Sequence, residues 1–133
     1  MKIIGHRGAR GLAPENTIAS FKKALECRVD QIEFDVRVTK DLIPVIHHDK
    51  DLSNQAVTLA EALEFIKGKV PLYIEVKRGE ITDPVIEELK KYKYSYELGS
   101  KSQKTLRKLH DALPAVPKIV IEPWSGIRAT YRA

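Results

Sequence analysis

The sequence predicts an α/β fold whose polar chemistry gathers at the ends of parallel strands. Three observations carry that expectation. Ile32, Phe34 and Val36 alternate with Glu33 and Asp35, so two carboxylates share one strand face opposite an aliphatic one. Leu72, Ile74 and Val76 alternate in the same way with Tyr73, Glu75 and Lys77, and a third β-like run ends in His47, His48 and Asp49. Helical patterns separate the runs, and a parallel α/β scaffold builds its sites from the C-terminal ends of strands.

The elements follow in order. The run Lys2–Gly5 leads into His6, Arg7 and Gly8, and Asn16 or Thr17 can cap a helix in which Ile18, Phe21 and Leu25 recur at helical spacing. Gln31–Val36 and Pro44–His48 read as strands. The link between them is too short for a helical crossover, so an antiparallel, hairpin-like pair is expected. Thr58 and Glu61 make a capping box ahead of Leu59, Leu63 and Ile66, and Pro71–Val76 is the next strand. Asp83 and Pro84 read as N-cap and first turn of a helix that uses Val85, Ile86 and Leu89. After a weak run at Tyr94–Glu97, Leu106, Leu109 and Leu113 stripe a further helix, and Lys118–Glu122 is the last strand-like run.

Composition fits a globular chain, with 43% hydrophobic and 31% charged residues, and no apolar run approaches the ~18 residues of a membrane span. Met1 to Gly5 pass directly into a strand, which leaves no room for a removable leader, and the single Cys27 cannot form an internal disulfide. A cytoplasmic location is expected. The charge is uneven: residues 1–89 hold 13 Lys and Arg against 15 Asp and Glu, while residues 90–133 hold 10 against 3. Lys101, Lys104, Arg107 and Lys108 surround the leucine stripe as on a solvated helix face, with no interleaved aromatics of the kind single-stranded nucleic acid needs. Nucleic acid is therefore not expected as a partner.

Two carboxylates on one strand face repel unless a cation or solvent neutralises them. With Glu75 added, Glu33 and Asp35 point to a metal, although a salt-bridge network with Arg37 or Lys77 is the plain alternative. His47 and His48 lie on opposite sides of an extended run, so one of them is expected to face the site. Gly5, Gly8 and Gly11 match neither the dinucleotide fingerprint nor a P-loop, and are read as letting the backbone turn tightly.

These residues, in this order, resemble the glycerophosphodiester phosphodiesterase family. The resemblance rests on His6-Arg7-Gly8, Pro14-Glu15-Asn16-Thr17, Glu33 with Asp35, Pro44 to Asp49, and Glu75 with Lys77, and covers residues 1 to 80. It implies a (β/α)8 barrel that hydrolyses glycerophosphodiesters to glycerol 3-phosphate and an alcohol. It further implies His6 and His48 as the proton-transfer pair, Arg7 and Lys77 on the phosphate, and Glu33, Asp35 and Glu75 on Mg2+ or Ca2+. Glu15, despite its place in the family pattern, is read as orienting the turn and the first helix. A related phospholipid or lysophospholipid phosphodiesterase is a second reading, and a non-catalytic half-barrel that binds a metal or phosphometabolite, or serves in assembly, is a third.

Length argues against a closed barrel. Such barrels need ~250 residues and rarely fewer than ~200, whereas this chain has 133 and six strand-like runs. Both the family's cap insertion, expected near Gln55–Val57, and its closing strands lack counterparts. We therefore expect one incomplete domain over residues 1–133, with a concealed break near Gln55–Val57 in the natural chain. A genuine half-barrel would instead leave open strand edges that a second subunit must cover.

Overall fold

The computed structural model of the chain describes residues 1–52 and 55–121, and the backbone of 128–130. Among the described residues, four helices are interspersed with seven strands. They are β1 (Ile4–His6), α1 (Ile18–Glu26), β2 (Gln31–Val38), β3 (Pro44–Ile46), α2 (Leu59–Ile66), β4 (Leu72–Val76), α3 (Asp83–Lys91), β5 (Tyr96–Ser100), α4 (Gln103–Ala112), β6 (Lys118–Ile121) and β7 (Arg128–Thr130). The strands form one sheet in the order β1-β2-β4-β5-β6-β7, with β3 paired to β2 off this path. The first five of these pair in parallel, while β3 and β7 run antiparallel to their neighbours. This is the wall of a barrel rather than a closed one, as the length requires.

Local chemistry explains most boundaries. Thr17, not Asn16, caps α1: its hydroxyl accepts from Ser20 N while Ser20 Oγ accepts from Thr17 N, a complete capping box. Thr58 supplies the corresponding bond to Glu61 N at α2. The N-cap position of α3 is Thr82, without a side-chain cap bond, and Asp83 instead lies in the first turn beside Pro84, so the helix begins one residue earlier than expected. The β2–β3 hairpin is present, with Val36 opposite Ile46. β3 stops at Ile46, so His47 and His48 sit in the bend that follows. Of the expected last strand, Glu122 lies outside the described residues.

The apolar core lies between one sheet face and the helices. Ile32, Phe34 and Val36 of β2, with Leu72, Ile74 and Val76 of β4, pack under Phe21, Ala24, Leu59, Ile66, Val85 and Leu89, all at most 1% exposed. Burying each of these side chains larger than alanine stabilises by roughly 1.5–3 kcal/mol. The charged helix face of α4 is exposed as expected. None of the described helices is long and apolar enough to cross a membrane.

The loop after β1 is fastened to α1, and this positions Arg7. Ser20 Oγ donates to Arg7 O at 3.0 Å and Ala9 N donates to Ser20 O at 2.9 Å. Gly8 has φ +80°, and a Cβ there would stand 2.2 Å from Ser20 Oγ. Gly79 has a similar φ of +82° with nothing within 4 Å of its virtual Cβ. Gly8→Ala should therefore cost more than Gly79→Ala. The second carries left-handed strain alone, about 1 kcal/mol, and the first adds overpacking of about 1–3 kcal/mol. Urea unfolding midpoints of the two variants measure the difference, and equal losses would show that the Ser20 contact yields freely.

Candidate active site

Strand register assembles the acidic cluster. In the parallel pairing, His6 stands beside Glu33 and Asp35 beside Glu75. Neighbours in register share a face, so these side chains project from the side of the sheet opposite the aliphatic core. Glu33, Asp35 and Glu75 offer carboxylate oxygens that all lie within 4.8 Å of one another. They are 3%, 2% and 7% exposed, so solvent does not neutralise them.

Two cations and an amide do part of that work. Asp35 receives Arg7 Nε at 3.1 Å and Lys77 Nζ at 3.3 Å as ion pairs, and Asn16 Nδ2 donates to its Oδ2 at 3.1 Å. Lys77 also pairs with Glu75 Oε2. Burial pushes the Asp35 carboxyl up, but the Asn16 bond, then Lys77 and Arg7, outweigh it and leave its pKa below the ordinary value. Glu33 goes the other way. Burial, then the charge on Asp35, raise it to about 8 against the partial offset of its bond from Arg7 N at 3.0 Å. With no cation bound, burial and the Asp35 charge therefore favour the protonated form of Glu33.

The sequence-derived candidates meet unequally. Glu33, Asp35 and Glu75 converge, Arg7 and Lys77 touch them, and His6 Nε2 lies 3.8 Å from Glu33 Oε1 with the imidazole half exposed. Glu15 Oε2 holds Arg7 Nη1 at 2.9 Å, the orienting role assigned to it. His48 lies in the bend after β3, and its Nδ1 is 2.8 Å from Asp49 Oδ1. The opposite facing of His47 and His48 holds only along a continuing strand. Because β3 has ended, both line one cavity of about 370 Å³ together with Glu15, Asn16 and Asp49. His47 N donates to Asp35 O at 3.0 Å, which ties that bend to the carboxylate strand.

Two roles escaped the sequence. Asn16, expected as a helix cap, is 5% exposed in a left-handed conformation, φ 55°, and spends its amide on Asp35. Asn tolerates that conformation better than most residues, which is the one local signal available. Arg37, weighed only as an alternative partner for Glu33 or Asp35, pairs with Glu80, 3.1 Å away and 43 positions on.

The family model of glycerophosphoryl diester phosphodiesterases matches residues 6–126, which include every candidate named above. The chain belongs to this family. A Bacillus altitudinis glycerophosphodiester phosphodiesterase is 39% identical over 89 residues, covering 65% of this chain and 33% of that protein. A human glycerophosphoinositol inositolphosphodiesterase is 49% identical over 51 residues, or 38% of this chain and 10% of the relative. Two solved structures are similar over 89% of the chain. One is a glycerophosphodiester phosphodiesterase from Agrobacterium tumefaciens, with TM-score 0.79, 25% identity and 65% of its chain covered. The other is an Oleispira antarctica phosphodiesterase in complex with sn-glycerol-3-phosphate, with TM-score 0.81, 26% identity and 64% covered. The chain thus spans a tenth to a third of these curated relatives and under two thirds of the solved chains.

The Glu33 proton has a sign that can be tested. This carboxyl ionises near 4.5 when free and near 8 in the fold. With a chelator present, its contribution favours folding most below about pH 4.5, declines as pH rises toward about 8, and is flat above. Chemical denaturation across pH should show this slope in the parent chain and lose it in Glu33→Gln. An unchanged slope in Glu33→Gln would assign the titration elsewhere.

Proposed function

We propose that this site hydrolyses glycerophosphodiesters to glycerol 3-phosphate and an alcohol, with a divalent cation, Mg2+ or Ca2+, held by Glu33, Asp35 and Glu75. The observation that carries the reading is the convergence of three buried carboxylates, within 4.8 Å, with an arginine and a lysine at their edge. Hard divalent cations prefer such all-oxygen donor sets. The cation, when bound, offsets charge on a phosphate oxygen as the reaction proceeds. Glu33 must surrender its proton for that, so cation affinity rises with pH toward about 8.

The chain's own groups supply the rest. The Arg7 guanidinium is held by Glu15 and Asp35 and presents its remaining donors as a planar fork suited to phosphate oxygens. Lys77 adds a point charge beside it. Ionised Asp49 can only accept, so His48 Nδ1 carries the hydrogen of their bond and leaves Nε2 to take up or release a proton. His6 is the second proton-transfer group, and the two divide deprotonation of the nucleophile and protonation of the departing alkoxide. The solved relative that holds sn-glycerol-3-phosphate supports the product assignment.

Hydrolysis of glycerophosphocholine, followed by release of glycerol 3-phosphate, should require added divalent metal. His6→Ala and His48→Ala should each lower kcat by ~10²-fold or more with the fold intact by circular dichroism. Full activity in His48→Ala would move its role to His47, which lines the same cavity.

We further propose that the natural chain carries additional residues near Gln55–Val57, where the cap insertion belongs. The solved chains are longer than this one, which covers under two thirds of each, and the placement near Gln55–Val57 rests on the position of the family's cap insertion. Intact mass of the native protein should exceed the 15.1 kDa of the present sequence. A native mass equal to it would defeat the proposal.

A further inference from the structure

One side-chain cluster beside the site has no part in the chemistry above, yet it joins three strand ends. Arg37 lies on β2, two residues after Asp35 on the same face. Its Nε donates to the main-chain oxygen of His48 at 2.8 Å, and its Nη1 donates to Glu80 Oε1 at 3.1 Å. The other Glu80 oxygen accepts from Val38 N at 3.0 Å. Glu80 N in turn donates to Lys77 O at 3.3 Å, closing the turn after β4. The two side chains are 11% and 17% exposed, which shields the pair from the screening that makes surface ion pairs weak.

The connectivity has a directional meaning. His48 sits in a bend beyond the last ladder bond of β3, where no strand pairing fixes it. Lys77 sits at the end of β4. The Arg37–Glu80 pair links the bend that carries His48 to the turn that follows Lys77, through the end of β2. Arginine suits this place because its fork makes both bonds at once. Lysine could keep the ion pair but has no second, rigidly placed donor for the His48 carbonyl.

We propose that Arg37 and Glu80 are positioning residues that fix His48 relative to Lys77 and the carboxylate cluster. The proposal rests on the reading that His48 transfers a proton. A displacement of ~1 Å at such a group can cost ~10²-fold in rate, so loss of the strut acts on kcat rather than on binding.

The test compares Arg37→Met, Arg37→Lys and Glu80→Gln with the parent protein. It measures glycerophosphocholine turnover, divalent-cation affinity by calorimetry, and the imidazole nitrogen signals of His48 by NMR. Arg37→Met should lower kcat by ~10- to 100-fold with KM and cation affinity within ~2-fold of the parent. Its His48 signals should broaden or split where the parent shows one set. Glu80→Gln should show a smaller loss of the same kind. Arg37→Lys should recover most of the thermal stability while kcat stays low, which a merely structural ion pair would not produce. Parent-like kcat with a single sharp His48 signal in both Arg37 variants would overturn the proposal. So would full recovery of kcat in Arg37→Lys. If Arg37→Met fails to fold, the Arg37→Lys result decides alone. If the parent itself shows no turnover with metal, the functional reading fails, and the His48 signals of the variants still decide whether Arg37 holds that residue.

Discussion

Three carboxylates buried within 4.8 Å of one another constrain everything around them. Fully ionised, they place three negative charges against the two positive charges of Arg7 and Lys77. The proton on Glu33 removes the surplus, which is the physical sense of its elevation to about 8 beside a depressed Asp35. Removing one partner from such a buried set typically costs about 3–5 kcal/mol, because the remaining charge has no solvent to fall back on. The cluster is therefore stable only as a set, and each member's position is dictated by the others.

That requirement reaches back into the fold. Parallel register puts Asp35 beside Glu75 and Glu33 beside His6, so the site is a property of strand alignment before it is one of side-chain rotamers. A register slip of one residue would send the carboxylates into the aliphatic layer. The loop after β1 must then deliver a cation to Asp35. It does so through two left-handed residues, Arg7 and Asn16, held by the Asn16 N to Arg7 O bond at 3.0 Å and by Ser20 of the first helix. Strained backbone of this kind persists only where the surroundings over-determine it. Here the surroundings are the carboxylate network itself.

Much of this was legible in the sequence because it depends on period. Alternation along Gln31–Val36 and Leu72–Val76 separates aliphatic from acidic faces whatever the tertiary structure, and the short link after β2 leaves a hairpin as the economical connection. What escaped has a common cause. β3 ends at Ile46 through pairing partners that the local sequence does not contain, so both histidines leave the alternation on which their opposite orientation depended. Asn16 offers the same side chain to a helix cap and to a buried carboxylate. Only the distant Asp35 decides between them. Arg37 has Glu33 and Asp35 close to it in sequence, but the partner it takes, Glu80, is set by a turn after β4 with no periodic signature.

The open wall also answers a physical objection to so short a chain. An open half-barrel risks exposing the aliphatic face of its strands as well as their edges. Yet among the described residues the aliphatic face is covered by four helices. The other face carries Gln31, Glu33, Asp35, Tyr73, Glu75 and Glu97 across its central strands, with aliphatic Ile4 on β1, Val45 on β3 and Ile119 on β6 at its margins. Gln31 Nε2 donates to Glu97 Oε1 at 2.9 Å, and the Tyr73 ring is fully buried against Gly99, where a Cβ would stand 2.1 Å from the hydroxyl. The inner layer of this wall is thus organised by polar contacts between adjacent strands, which do not need the opposite half of a barrel to form. The length of the natural chain is a separate matter. The coverage of its relatives is the observation that bears on it, since the site's residues all lie on strands and loops that this chain already contains.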